Sequence, residues 1–176
     1  MEQLFDLASL VDKIFSSAGI EYRIVGGLAT YLYVEDAEPD AGRLTKDIDI
    51  AVLREDLDRI AEAAEPYGLR LRQVAGVDML VPVDSPSARA VHLVFAGEKV
   101  RPEYLAQVPE LSPSSTVRGL PLVSLKDLVR MKLTSFRAKD EAHLKDLDDA
   151  GLITPEIEAG LPAELAARLV QTRARD

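Results

Sequence analysis

Asp47-Ile48-Asp49-Ile50-Ala51-Val52-Leu53 is the most informative stretch of this 176-residue chain. Its alternation predicts a β-strand. Ile48, Ile50 and Val52 share one face, and Asp47, Asp49 and Ala51 share the other. A period of two puts both carboxylates on the same side, about 7 Å apart along the strand. The neighbours are apolar, so the segment otherwise reads as core. Two close carboxylates with no base between them repel. A divalent cation offsets that repulsion. With oxygen ligands alone it would be a hard ion, Mg²⁺ or Mn²⁺, usually held by one or two carboxylates plus substrate phosphates. Two solvated aspartates on a sheet-edge strand satisfy the same tripeptide.

Upstream, residues 3–18 carry Leu4, Leu7, Ala8, Val11, Ile14 and Phe15 at helical spacing, and Gly19 stops the helix. Glu21 to Val25 predicts a short strand running into Gly26-Gly27, with a short helix from Leu28 to Val34. Glu35 to Gly42 is acidic, contains Pro39, and reads as an exposed loop. Downstream, Glu55 to Glu65 predicts a helix. Leu69–Val74, Val77–Val83 and Ala90–Ala96 predict strands. The 97–119 segment, with Pro102, Pro109 and Pro113, reads as loop: a lid or a connector. A strand follows at Leu120–Val123. Ser124 is a good N-cap for a helix from Leu125 to about Phe136. Two more helices are expected, near 139–150 and 162–173. The order implies an α/β (α+β) fold, with a core over residues 1–120 and a C-terminal helical region, 121–176, packed on it.

Composition narrows the chemistry. Hydrophobic residues make up 47% and charged residues 29%, as in an ordinary soluble domain. The net charge of −9 argues against holding nucleic acid by bulk charge, though a local basic patch remains compatible with it. The absence of cysteine removes disulfides, thiolate metal sites and thiol nucleophiles. Two histidines, His92 and His143, are too few for a histidine cage. Met1 to Asp6 shows no signal-peptide pattern, and no apolar run approaches the roughly 20 residues of a membrane span. A cytoplasmic domain with no membrane contact is expected.

Three further features bear on function. Gly26-Gly27 at a strand-to-helix turn lets backbone approach a phosphate at a helix N-terminus, and equally makes a plain tight turn. Arg43, Thr45 and Lys46 add cations and a hydroxyl just before Asp47. Lys132 falls in the middle of the apolar stripe of its helix, among Leu125, Leu128, Val129, Leu133 and Phe136. A buried ammonium is costly unless paired. It therefore snorkels to solvent or reaches an anion, a carboxylate or a phosphate. Residues 126–139 hold Lys126, Arg130, Lys132, Arg137 and Lys139 against Asp127 alone. This cationic island suits a polyphosphate, or forms a solvated helix face. Asp140 is a candidate partner for Lys132 or Arg137.

Taken in order, Val25-Gly26-Gly27, Arg43-Leu44-Thr45-Lys46-Asp47-Ile48-Asp49-Ile50, Leu125 to Leu133, Arg137-Ala138-Lys139-Asp140 and Asp146-Leu147 resemble the AbiEii-type toxin branch of the polymerase-beta-like nucleotidyltransferase superfamily. The likeness covers roughly residues 20–150. It implies a nucleotidyltransferase-like mixed β-sheet packed by helices, with a C-terminal helical extension. It also implies transfer of a nucleoside monophosphate from a nucleoside triphosphate to an acceptor hydroxyl on a tRNA end, a protein or a small molecule. Asp47 and Asp49 would bind Mg²⁺ or Mn²⁺. Gly26, Gly27, Arg43, Thr45, Lys46 and Lys132 would hold the nucleotide. Where that pattern carries a third acid on a neighbouring strand, this sequence has His92, a ligand suited to Mn²⁺ or a base for the acceptor. Asp78 and Glu98 are the fallback acids. The alternatives are a catalytically impaired nucleotide- or partner-binding module, such as a toxin–antitoxin component, and a structural domain with a buried ion network.

Overall fold

The computed structural model describes residues 2–43, 45–84, 90–111 and 115–175. Its helices are α1 (Glu2–Ala18), α2 (Gly26–Ala37), α3 (Leu57–Ala64), α4 (Leu125–Ser135), α5 (Ala138–Asp149), α6 (Pro155–Ala159) and α7 (Ala163–Arg173). Its strands are β1 (Tyr22–Val25), β2 (Ile48–Val52), β3 (Leu69–Val74), β4 (Val77–Pro82), β5 (Val91–Phe95), β6 (Ser115–Val117) and β7 (Leu120–Leu122). Among the described residues the strands form one mixed sheet, in the order β3-β4-β5-β2-β1-β7-β6.

The strand that carries the aspartates is central. β2 pairs antiparallel with β1 and parallel with β5, which disposes of the edge-strand possibility. Ile48, Ile50 and Val52 are fully buried on one face, as the alternation requires. Helix α2 is enclosed on all sides, with Gly27 to Val34 buried, and it packs on β1, β2, α4 and α5. An all-round apolar helix belongs in the interior, and this one spaces the sheet from the C-terminal helices.

Several elements differ from the sequence expectation. Helix α2 begins at the diglycine itself and runs on through Glu35-Asp36-Ala37, whose charges stay on its exposed last turn. The α-helical part of the 55–65 segment is confined to α3, flanked by 3-10 turns at Arg54–Asp56 and Glu65–Tyr67. β6 lies inside the stretch read as loop. It has only three residues and is defined by its antiparallel pairing with β7 through a two-residue turn. Arg118 and Gly119 in that turn both have positive φ, +50° and +80°, the backbone signature of a tight hairpin. Helix α6 is a single short turn capped by Thr154, whose hydroxyl accepts from the Ile157 N–H, with Pro155 at its first position.

The C-terminal helices are tied to each other by buried apolar contact and by arginines: Arg173 pairs with Asp148 and Glu158, Arg175 with Glu141, and Arg168 reaches α4. Leu128, Val129 and Leu133 of α4 and Leu144 and Leu147 of α5 are fully buried. Arg168 of α7 donates to the carbonyls of Leu133 and Thr134 at 2.7 and 2.8 Å. It satisfies the open end of α4, and its guanidinium lies 5.0 Å from the Phe136 ring centre. Ser124 caps the other end, accepting from the Asp127 N–H at 3.2 Å. The helix that carries Lys132 is thus fixed at both ends. Among the described residues no helix is long and apolar enough to cross a membrane.

Candidate functional site

One pocket of about 510 Å³ opens above the aspartate face of the sheet. Gly26, Asp47, Asp49, His92 and Lys132 all line it. They come from the β1–α2 turn, from Asp47 just ahead of β2 (the expected strand from Asp47 begins at Ile48), from β2 itself, from β5 and from α4, so elements distant in sequence converge here. Strand register accounts for the convergence: Val25 stands opposite Asp49 across β1–β2, and Asp49 opposite His92 across β2–β5. The Asp49 carboxylate lies directly over Gly26, where any Cβ would collide with it. Gly26 also has φ +68°, and Gly27 is similarly close against the Thr45 hydroxyl. Gly26 is therefore favoured by both backbone and space, and a Cβ at Gly27 would require Thr45 to shift.

This gives a test. Gly26→Ala is expected to lose more stability than Gly19→Ala. Both glycines have left-handed backbone, but a Cβ on Gly19 would meet nothing within 4 Å. The backbone strain, about 1–2 kcal/mol, is common to both. The excess at Gly26 is the displacement of Asp49, and urea midpoints of the two variants measure it. Equal losses would show that Asp49 yields at no cost.

Asp49 is not free. Its Oδ1 lies 3.1 Å from Nδ1 of His92. That hydrogen bond holds the imidazole pKa above its usual value, with the charges of Asp49 and Asp47 adding to it against the opposing effect of burial.

On the helical side, Lys132 is buried at 4% exposure and does not snorkel. Its Nζ donates to Asp140 Oδ1 at 3.3 Å and contacts His143 Nδ1 at 2.7 Å. Asp140 in turn accepts from Arg137 Nε at 2.7 Å, from the Arg137 backbone N–H at 3.2 Å and from the Ser135 hydroxyl at 2.8 Å. Burial pushes the Asp140 carboxyl up, but Arg137, Lys132 and Ser135 outweigh it and hold the pKa at about 2. Burial pulls the Lys132 ammonium down while Asp140 supports it. His143 is pushed down to about 4 by burial and then by the Lys132 charge. It is therefore neutral at physiological pH, and the lone pair of Nδ1 accepts from Lys132.

His143 sets a pH dependence. Its folded pKa is depressed from 6.5 to about 4, so the unfolded chain binds more protons between those values and stability is lost as the pH drops through that window. The full shift corresponds to about 3 kcal/mol. Lys132, Lys139, Asp140 and Asp146 are the charges acting on it. Urea unfolding from pH 7 to pH 4 should show this loss, and His143→Gln should flatten it. An unchanged slope in the variant would assign the loss elsewhere.

Other candidates lie outside the pocket lining. Arg43 donates to both carboxylate oxygens of Asp146 at 2.8 and 3.0 Å. Thr45 stands against Gly27, and Lys46 is exposed. The fallback acids face elsewhere. Asp78 is buried and accepts from Gln73 at 3.2 Å, while its neighbours Val77 and Met79 line the pocket, as strand alternation dictates. Glu98 pairs with Arg54 at 2.5 and 2.6 Å. Sequence reasoning missed His143, although its spacing of three from Asp140 places both on one face of α5. It also missed Arg101 and Tyr104, which line the pocket from the 98–108 loop, where no periodicity marks them.

No protein-family model matches the sequence, and no curated protein does. Solved structures do share the fold. The lincosamide antibiotic adenylyltransferase LnuA, bound to lincomycin, superposes with a TM-score of 0.54 at 12% identity, over 85% of this chain and 97% of that one. ANT(2'')-Ia in complex with adenylyl-2''-tobramycin gives 0.52 at 14% identity over 97% and 98%. The solution structure of the antibiotic-resistance factor ANT(2'')-Ia gives 0.50 at 13% identity over 97% and 84%. The chain thus has the nucleotidyltransferase fold, a mixed sheet packed by helices.

Proposed function

We propose that this protein is a nucleotidyltransferase that moves a nucleoside monophosphate from a nucleoside triphosphate to an acceptor hydroxyl. The observation that carries this is the meeting of Gly26, Asp49 and Lys132 on one pocket. The order of the motifs supports a place in the AbiEii-type branch, and the proposal places the protein in the cytoplasm. On this proposal the core of residues 1–120 supplies Gly26, Asp47, Asp49 and His92, and the region 121–176 supplies Lys132.

Asp47 and Asp49 are the residues that would hold Mg²⁺ or Mn²⁺. Among the described residues no group of three or more His, Asp or Glu is placed to hold a metal ion. Two carboxylates on one pocket lining suit an ion shared with phosphate oxygens and water, the usual habit of Mg²⁺. Bound there, such an ion supplies Lewis-acid stabilisation of phosphoryl oxygens. The chain's own groups do the rest. The N-terminus of α2 offers unpaired N–H groups to phosphate, and Gly26 lets the phosphate come close. Gly27 and Thr45 fix the turn from behind, and Arg43 and Lys46 serve the nucleotide from the exposed segment before β2. Lys132, with Arg137 beside it, stabilises charge that develops on the leaving pyrophosphate. His92, its Nδ1–H given to Asp49, takes the acceptor proton on its other nitrogen.

The acceptor is a tRNA end, a protein or a small molecule, and the complexes of LnuA with lincomycin and of ANT(2'')-Ia with adenylyl-2''-tobramycin favour the last. A second reading, a nucleotide- or partner-binding module without turnover such as a toxin–antitoxin component, is favoured by His92 occupying Asp49 Oδ1. A thermal-shift panel of the four triphosphates with and without Mn²⁺, run beside incorporation of α-labelled nucleotide, separates them. Stabilisation with labelled product supports the enzyme. Stabilisation with no pyrophosphate release supports the binder. Neither effect leaves the structural ion network.

A further inference from the structure

The pocket has two chemically different ends. Gly26, Asp47, Asp49, Lys132 and Arg137 make a charged end; Val74, Val77, Met79, Val94 and Val100 make a largely apolar one, with Arg101 the cation on the same loop. Three of these valines, Val74, Val77 and Val100, are 54%, 40% and 50% exposed. They form apolar surface around a cleft rather than scattered single residues. Strand register locates this end. His92 stands opposite Asp49 on one side and opposite Met79 on the other. Met79 is thus two strand spacings, about 10 Å, from Asp49. Gly26 lies in the other direction, at the end of β1.

In phosphoryl transfer the attacking and leaving oxygens lie roughly in line through phosphorus. Helix α2 grows out of β1, and α4 and α5 pack on it. Phosphates drawn to Gly26 and Lys132 therefore send the pyrophosphate out on the β1 side. The attacking hydroxyl must then arrive from the β5–β4 side, where the apolar wall stands. We infer that this wall is the acceptor subsite, and that the acceptor is a small molecule carrying a hydroxyl on an apolar body. The inference rests on the nucleotidyltransferase reading above.

Two observations disfavour a nucleic-acid acceptor. The chain carries a net charge of −9, which gives a polyanion no long-range attraction. The outer wall is the 98–108 loop, closed by the Gly97 N–H on the Val108 carbonyl at 2.9 Å and the Val108 N–H on the Glu98 carbonyl at 2.8 Å. The loop is a pinned wall, not an open channel for a strand. In the reaction the acceptor oxygen bonds to the α-phosphorus. The bond from that phosphorus to the bridging oxygen breaks, its electron pair leaves on pyrophosphate, and the hydroxyl proton passes to His92.

The test uses the full chain with Mn²⁺ and each α-labelled triphosphate, offered benzyl alcohol, cyclohexanol, glycerol or bulk tRNA. Label should pass to the two apolar alcohols in preference to glycerol and tRNA. Val100→Asp and Met79→Glu should each lower kcat/KM for benzyl alcohol by about tenfold or more, as a charge set into an apolar contact does. The melting-temperature rise caused by triphosphate should persist in both variants, which also shows that they fold. Equal or better labelling of glycerol or tRNA, or indifference of benzyl alcohol turnover to both substitutions, overturns the inference and leaves the parent reading standing. If no acceptor is labelled and no triphosphate raises the melting temperature, the parent reading fails. Whenever nothing is labelled, the Met79 methyl resonance decides the subsite. A saturable shift with benzyl alcohol, lost in Val100→Asp, retains an apolar ligand site; no shift removes it.

Discussion

Asp49→Asn is expected to lower nucleotide transfer by about 100- to 1000-fold, the scale of losing one preorganised charge at a transition state, while leaving the protein folded. Asp47→Asn should behave in the same way. Both carboxylates line the pocket, and the Asp49 side chain keeps 26% of its exposure. Among the described residues neither pairs with a lysine or arginine as Asp140 does, and Asp49 meets only the His92 ring. Removing one charge relieves repulsion between the two, and an asparagine at position 49 still accepts from the Nδ1–H of His92. The change in unfolding free energy should therefore stay within about 0.5 kcal/mol. Initial rates with α-labelled triphosphate and urea unfolding of the same samples give both quantities. A structural ion network makes the opposite forecast, a large loss of stability with no transfer to lose. Activity that survives both substitutions would remove the carboxylates from the chemistry.

The central strand and its aspartate pair were readable from sequence because alternation in a buried strand is enforced by the sheet itself. A one-residue slip would turn Ile48, Ile50 and Val52 to the wrong face. Lys132 was readable because an ammonium inside an apolar stripe has few physical outcomes, and pairing is the one found. What stayed hidden was long-range. His143 becomes significant only once α5 is folded back against α4, and nothing local to Glu141-Ala142-His143 announces that. Three residues of β6 are too few for a pattern, and they count as a strand only because β7 lies alongside. Arg101 and Tyr104 reach the pocket through a loop fixed by two backbone hydrogen bonds at its base. Backbone bonds carry no side-chain signature, so nothing in a stretch rich in proline, read as lid or connector, marked its 98–108 part as pocket lining. Glu35 to Ala37 misled for a related reason. Charge marks exposure, and an exposed last turn of a helix looks like a loop.

Asp140→Ala should cost about 3–5 kcal/mol of stability. Asp140 is 1% exposed and meets Lys132 on Oδ1, Ser135 on Oδ2 and Arg137 on both. Arg137 can return to water, since half its side chain is already exposed. Lys132 cannot, because it is enclosed in the stripe of α4. Deleting the carboxylate leaves that ammonium buried with only neutral His143 beside it. Lys132→Met is the converse change. It keeps the volume and leaves Asp140 with Arg137, so it should cost less than Asp140→Ala. The double variant should then recover much of what Asp140→Ala loses, because no unpaired charge remains. Urea unfolding of the two singles and the double closes the cycle, and a coupling near zero would show that Asp140 does not hold Lys132. The double variant also separates the two tasks of the lysine. It should fold and still transfer no nucleotide, because the amine that meets the leaving phosphates is gone, whereas transfer at the wild-type rate would reduce Lys132 to a structural ion.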